Sequence, residues 1–317
     1  MIISWQNRDY SNIINTIKSG SQAVLLHGVA GIGKRILAQE VLRYLLCLSP
    51  EQDFACGKCR SCILHNVGNH PDIYVVADEE NSTIKLEVLK KLLHESLSTT
   101  PNIAHKKIVY IPDFEQISKQ GANSLLKTLE EPQSSIIFVM VVNEKTIVLP
   151  TILSRCVKIS LHKPTTQQFK EYLSNQDQEN IHNSEFWYKY FYNAPLATPI
   201  LSDEQLEIIL NCLMKPTINN IFAASNEFDG KKVSFAIFID FFYKWLCYIV
   251  EKSLTPDANK DGMFAKHDVS ALISKSKIDK LFDLQDRLQI FTNFLHHPIN
   301  QKLHVENILF RYQQCFV

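Results

Sequence analysis

Apolar residues in the first half of the chain fall into two alternating patterns. Short runs at 23–27, 73–76, 108–111 and 136–142 predict strands. Between them, residues 36–48, 84–97 and 118–131 carry apolar side chains at helical spacing, as at Leu37, Val41, Leu45 and Leu48. The run 136–142 is apolar on both faces, which predicts a central parallel strand buried between two helix layers. Residues 157–161 alternate and predict the last strand, while Pro112 and Pro132 punctuate the elements before and after the third helical stretch. The expected class here is α/β, a doubly wound parallel sheet of about five strands.

Beyond His162, Lys163 and Pro164 the strand signal ends. Residues 165–174 and 184–193 predict two helices, the second rich in aromatics (Phe186, Trp187, Tyr188, Tyr190, Phe191, Tyr192). A base-stacking surface interleaves such rings with basic residues, and only Lys189 lies among these, so the cluster reads as core. From Asp203 onward the pattern is helical and Gly-poor, with turn signals at Pro216, Asp229-Gly230, Pro256 and Asp261-Gly262; Pro195 and Pro199 break the stretch before it. Three parts are expected: an α/β domain over 1–163 with an insert at about 47–70, a small helical part over 164–201, and an all-α part over 202–317.

The 317 residues carry 33 Lys plus Arg and 33 Asp plus Glu, so no global basic field argues for a protein that grips nucleic acid by itself. No apolar run approaches the ~18 residues needed to cross a bilayer, and the first ten residues lack a signal core, so a soluble cytoplasmic protein without a membrane partner is expected. In such a chain, eight cysteines point to metal or simple burial rather than disulfides.

Residues 28–35 read GVAGIGKR, close to the phosphate-binding loop G-x-x-x-x-G-K-[ST]. Gly28, Gly31 and Gly33 suit a loop whose amides cradle phosphates, and Lys34 is the residue that reaches them. Arg35 stands where a hydroxyl should hold magnesium, so ATP binding is expected to be weak or absent. An active site of this type also ends a later strand in an acidic pair. After the strand 108–111 only Asp113 follows, displaced past Pro112; Glu115 would point with it at strand alternation, although a solvated loop is the plainer reading.

Cys56, Cys59 and Cys62 form C-x-x-C-x-x-C, with Cys47 nine residues earlier. Pairs so spaced let thiolates converge on a tetrahedral ion, which predicts a closed, structural zinc site. His65 and His70 are alternatives to Cys47 as fourth ligand, an iron–sulfur cluster is the competing metal, and Asn66 occupies the place of the fourth ferredoxin cysteine. The remaining cysteines, Cys156, Cys212, Cys247 and Cys315, read as buried thiols. Arg155, between Ser154 and Cys156 at the sheet edge, is either a surface charge or an arginine finger for a neighbouring subunit's phosphates.

The ordered set of GVAGIGKR, CGKCRSC after Cys47, HPD at 70–72, NSLLKTLEEP at 123–132 and TILSRC at 151–156 resembles the AAA+ clamp-loader family of bacterial DNA polymerase III, and its delta-prime type most closely. The likeness is clear over about residues 1–163 and returns faintly at 299–310. The resemblance implies an AAA+-type sheet domain with a zinc module held by Cys47, Cys56, Cys59 and Cys62, then a helical lid and a helical collar that assembles the ring. It further implies a non-hydrolysing subunit of a heteropentamer with gamma/tau ATPase subunits and delta. That assembly opens the sliding clamp and places it on primer-template DNA, and Arg155 serves in trans as the finger. Against the ATPase members, Arg35 replaces their Ser or Thr, Pro112-Asp113 replaces their acidic pair, Asn143 stands near their sensor threonine, and Ala197 falls where their lid arginine would be. An active gamma-like ATPase is the alternative, and a zinc-dependent nucleic-acid-binding adaptor a more distant one.

Overall fold

The computed structural model describes residues 2–77, 83–84, 86–131, 135–174, 184–191, 193–196, 200–228, 234–255, 262–291 and 300–316. Pro132, Tyr192, Ala197, Pro199, Asp229-Gly230, Pro256, Asp261 and Ile299, all singled out above, lie outside the described residues. By compactness the chain divides into two units, Met1–Gln178 with Phe191–Ala197, and Glu179–Tyr190 with Thr198–Val317.

The first unit is built on five parallel strands: β1 (Ala23–Gly28), β2 (Ile73–Val75), β3 (Lys107–Ile111), β4 (Ile136–Asn143) and β5 (Val157–Ser160), in the order β2-β3-β4-β1-β5. This is the doubly wound parallel sheet expected, with β4 at its centre. Successive side chains point to opposite faces, so Ile137, Val139 and Val141 enter one core while Ile136, Phe138, Met140 and Val142 enter the other. Helices α1 (Asn7–Lys18) and α2 (Lys34–Leu46) close the first face through Ile13, Ile14, Leu37 and Val41. Helices α4 (Leu86–Ser98) and α5 (Lys119–Glu130) close the second through Leu89, Leu93, Leu125 and Leu129. The short α3 (Arg60–Asn66) lies in the cysteine insert, α6 (Pro150–Leu153) precedes β5, and α7 (Thr166–Ser174) follows it.

Local chemistry moves several boundaries. Helix α2 starts two residues before the predicted 36–48, because Gly33 takes the left-handed conformation as its N-cap. It stops at Leu46, where Cys47 turns extended to enter the insert. Ile84 is not helical; it forms a parallel bridge with Ile117. Ser118 caps α5 by accepting the Gly121 amide.

Taken alone, the second unit is helical: α8 (Ser184–Tyr190), α9 (Asp203–Met214), α10 (Ile218–Asn226), α11 (Phe235–Leu254), α12 (Ser270–Ile273), α13 (Ile278–Phe291) and α14 (Gln301–Gln313). Trp187, Tyr188 and Tyr190 are buried and Phe186 packs on Phe241 and Phe264, so this aromatic cluster is core, as its composition implied. Trp245 donates to the Tyr312 hydroxyl at 2.7 Å, which donates to the Leu213 carbonyl at 2.9 Å; this buried relay pins α11, α14 and α9 together. None of the described helices is long and apolar enough to cross a membrane.

Two fully buried charges organise the β2–β3 side. Lys107 donates to the carbonyls of Ser96 and Thr99, placing a cation at the C-terminal end of α4. The Asp72 carboxylate accepts the amides of Asn102 (2.6 Å), Ile103 and Ala104 (both 2.8 Å), which fixes the turn leading into β3. Burial alone would raise its pKa, but these three N–H groups and His70 bring it below the usual carboxylate value. Asp72→Ala leaves three amides without their acceptor, that of Ala104 buried, and is expected to cost ~2 kcal/mol or more. Because the folded pKa is depressed, the carboxylate's contribution is complete above the unfolded value of about 4. It is lost as pH falls through the lower folded value. Urea unfolding against pH should therefore show the gap between native and variant narrowing in acid; a gap independent of pH would refute this assignment.

Candidate phosphate-loop site and cysteine cluster

Strand register positions the loop. β1 pairs with β4 so that Gly28, the first loop residue, lies opposite Asn143 at the end of the central strand. The loop then turns through Gly31 (φ 81°) and Gly33 (φ 90°) before α2 begins at Lys34. A Cβ on Gly33 would meet Gln6 Nε2 at 2.6 Å. That contact is close because Gln6 holds the loop, donating to the carbonyls of Ile32 (3.1 Å) and Gly33 (2.9 Å) beside a bond from Trp5 Nε1 to Ile32 (3.3 Å). A cavity of about 340 Å³ opens here, lined by Gly31, Lys34, Arg35, Asp113, Glu115 and Asn143 among others.

Lys34 is 7% exposed and turns back on its own loop. Its ammonium donates to the carbonyls of Gly28 (2.9 Å) and Val29 (2.8 Å) and to Asn143 Oδ1 (2.6 Å), three acceptors for three N–H bonds. Burial lowers its pKa to about 8, partly opposed by the nearby Glu115 charge. Arg35 reaches across to Asp113 and donates to both carboxylate oxygens, and this bond raises the guanidinium pKa further. Glu115, although exposed in a short 3-10 turn (Phe114–Gln116), is more than a solvated loop residue: it accepts the Asn143 amide and the Thr146 hydroxyl. The hydroxyl that would hold magnesium is absent and the acid that would share the ion is paired with Arg35. The residues present therefore do not fit a magnesium–nucleotide as an active loop does.

The cysteine cluster is compact. The sulfurs of Cys47, Cys56, Cys59 and Cys62 all lie within 4.8 Å of one another, with Cys47 and Cys56 at 3.5 Å. Gly57 (φ 72°) makes the turn between Cys56 and Cys59. Amides of Cys56 and Cys62 donate to the sulfurs of Cys47 (3.3 Å) and Cys59 (3.4 Å). For Cys59, burial pushes the pKa up, but the Leu48 and Cys62 amides and neighbouring thiols outweigh it and bring it to about 6. Burial dominates at Cys62 and raises it to about 12. The four sulfurs form a set that could hold a metal ion, and as thiolates they would suit zinc. Of the histidine alternatives, His70 has both ring nitrogens engaged, with Ser61 Oγ at 2.7 Å and the Asp72 amide at 3.1 Å. The group that converges contains Cys47 and neither histidine. Tyr10 anchors the insert to α1, stacking on Phe54 and donating to the Asp53 carbonyl at 2.6 Å.

Arg155 sits between α6 and β5. Its Nη1 donates to the Thr151 carbonyl (2.8 Å) and Ser154 Oγ (3.2 Å), and its Nη2 to the Glu130 carboxylate at the end of α5. Its Nε is buried without an acceptor among the described residues. An exposed pair of this kind contributes ~0–1 kcal/mol, which a buried unpaired N–H offsets. Lys34, Arg35, Asp113, Glu115, Asn143 and Arg155 drew attention in the sequence, but none of their pairings did. The Glu130 and Asp113 pairings and the Trp5-Gln6 brace depend on tertiary register and leave no local signal.

A model of the family described as "DNA polymerase III, delta subunit" matches residues 5–165. The chain is similar to the DNA polymerase III subunit delta' of Pseudomonas aeruginosa, 29% identical over 90% of this chain and 89% of that protein. It is also similar to the Yersinia pestis protein of the same name, 33% identical over 54% of this chain and 51% of that one, so this second match spans about half the relative's length. Among solved structures it is similar to a gamma subunit-related protein of DNA polymerase III from Thermotoga maritima, with 15% identity, TM-score 0.45, and 97% and 99% of the two chains covered.

Reduced protein is expected to carry zinc at the cysteine cluster. Cys59→Ser should release it and speed proteolysis within 47–70 while the sheet's unfolding transition persists; elemental analysis finding no metal in intact protein would remove the site. Arg35→Thr frees Asp113 yet supplies no second acid, so turnover of ATP should remain at background. Hydrolysis gained by this single change would show that the loop lacks only its hydroxyl.

Proposed function

This chain belongs to the DNA polymerase III, delta subunit family and to its delta-prime type, and from that premise we propose that it is the non-hydrolysing subunit of the replicative clamp loader. The observation that carries the reading is the self-satisfied phosphate loop: Lys34 has an internal acceptor for each N–H, and Arg35 occupies Asp113. Such a loop offers neither a free lysine nor a magnesium ligand, so the domain serves as a fixed partner rather than an engine. Zinc at Cys47, Cys56, Cys59 and Cys62 would be structural, since four thiolates leave no open coordination position.

In this reading the region 164–201 is a lid and 202–317 a collar, and the collar joins gamma/tau and delta in a heteropentamer. Arg155 is partly exposed just before β5, an edge strand of the sheet, which supports a role toward a neighbouring ATPase subunit's nucleotide. There its guanidinium stabilises charge that develops on the transferred phosphate. Opening of the sliding clamp and its placement on primer-template DNA are acts of the whole assembly, consistent with the balanced charge of this chain.

Glu115 and Asn143 at the cavity favour a second reading, a gamma-like ATPase that tolerates Arg35. The purified chain separates the two: magnesium-dependent ATP turnover supports the second reading, and none is expected. In the reconstituted loader, Arg155→Ala should leave assembly intact and lower clamp- and DNA-stimulated hydrolysis. Loss of a finger removes ~10³–10⁵ in rate at the site it serves, diluted in the whole complex by sites with their own fingers. Unchanged turnover in a fully assembled variant complex would sink the trans-catalytic role.

A further inference from the structure

Arg155 is not held ready in the chain described here; it is engaged. Both Nη1 hydrogens are directed to Thr151 and Ser154, one Nη2 hydrogen goes to Glu130, and Nε faces the protein. A single Nη2 hydrogen remains, whereas a bidentate grip on a phosphoryl group takes two. Engagement therefore requires that a partner let go. The Thr151 carbonyl and Ser154 hydroxyl are neutral and local, within four residues of Arg155. Glu130 differs on both counts, because it comes from another element and cancels the charge on which a finger's effect depends. It is also the more exposed member of the pair, 49% against 30%, so water can replace it as it departs.

We propose that Glu130 is a positioning residue that latches Arg155 away from the phosphates until assembly and clamp engagement draw the arginine off it. This inference rests on the finger reading of Arg155. The latch is shallow by design of its surroundings: the ion pair is partly solvated, and the orphaned Nε makes the latched rotamer less than fully satisfied. It holds in the resting state and gives way to the more concentrated negative charge of a triphosphate.

The test is a double-mutant cycle in the reconstituted loader, using native chain, Glu130→Gln, Arg155→Ala and the double variant. Glutamine keeps the shape and a hydrogen-bond acceptor but removes the competing charge. Steady-state ATP hydrolysis is read with and without clamp and primed DNA. Glu130→Gln is expected to raise the unstimulated rate about two- to fivefold, the size set by releasing one exposed ion pair, and so to reduce the stimulation ratio. In the Arg155→Ala background the same change should do nothing, a non-additivity that a purely structural glutamate would not produce. If Arg155→Ala lowers stimulated turnover while Glu130→Gln leaves the unstimulated rate unchanged, the finger stands and the latch is wrong. If Glu130→Gln acts equally in both backgrounds, it does not work through Arg155 and the inference fails. If Arg155→Ala changes nothing, the finger reading falls and takes the latch with it.

Discussion

An ammonium group has three N–H bonds, and in Lys34 all three are held by acceptors that the fold itself supplies. Two are loop carbonyls and the third is Asn143, which faces Gly28 only because β1 and β4 pair in one register. A slip of one residue would also turn each strand's core side chains to the opposite face, so the same pairing that builds the two hydrophobic layers closes the lysine's shell. Arg35 completes the pattern from the next position by tying α2 to the end of β3 through Asp113. The loop thus has, within one chain, the cationic tie that a bound metal and phosphate would otherwise provide between these elements.

Two other buried charges of the domain are held in the same way, by backbone dipoles. Asp72 is neutralised by amides and Lys107 by carbonyls, neither by a counter-ion. Such dipolar shells cost no flexible partner side chain and fix backbone as well as charge. Arg155 differs from these two, being paired with a solvated carboxylate and left with an unmatched Nε.

Much of the architecture was legible because its signals are local. Runs such as 136–142 can only be central strands, and the cysteine spacing implies convergence whatever surrounds it. Helix α1 was not among the elements predicted, although Tyr10, Ile13 and Ile14 form its buried stripe, and through Tyr10 it braces the insert. The site was less legible. Arg35 and Asp113 are 78 positions apart and Arg155 and Glu130 are 25 apart, so their pairing depends on the order of strands in the sheet. Sequence shows that the hydroxyl and the acidic pair are missing; only the folded register shows that an ion pair fills the gap.

The strand order also has a consequence for how the chain comes into being. β1 lies between β4 and β5, so the first strand to leave the ribosome has neither neighbour until well over a hundred further residues have followed. At ~5–20 residues per second that is a wait on the order of ten seconds with Val24, Leu25 and Leu26 uncovered. The cysteine insert emerges early in that interval and closes on contacts local in sequence. It is suited to become ordered first and to give the nascent N-terminal segment, through Tyr10 and Phe54, a surface to rest on before its sheet exists.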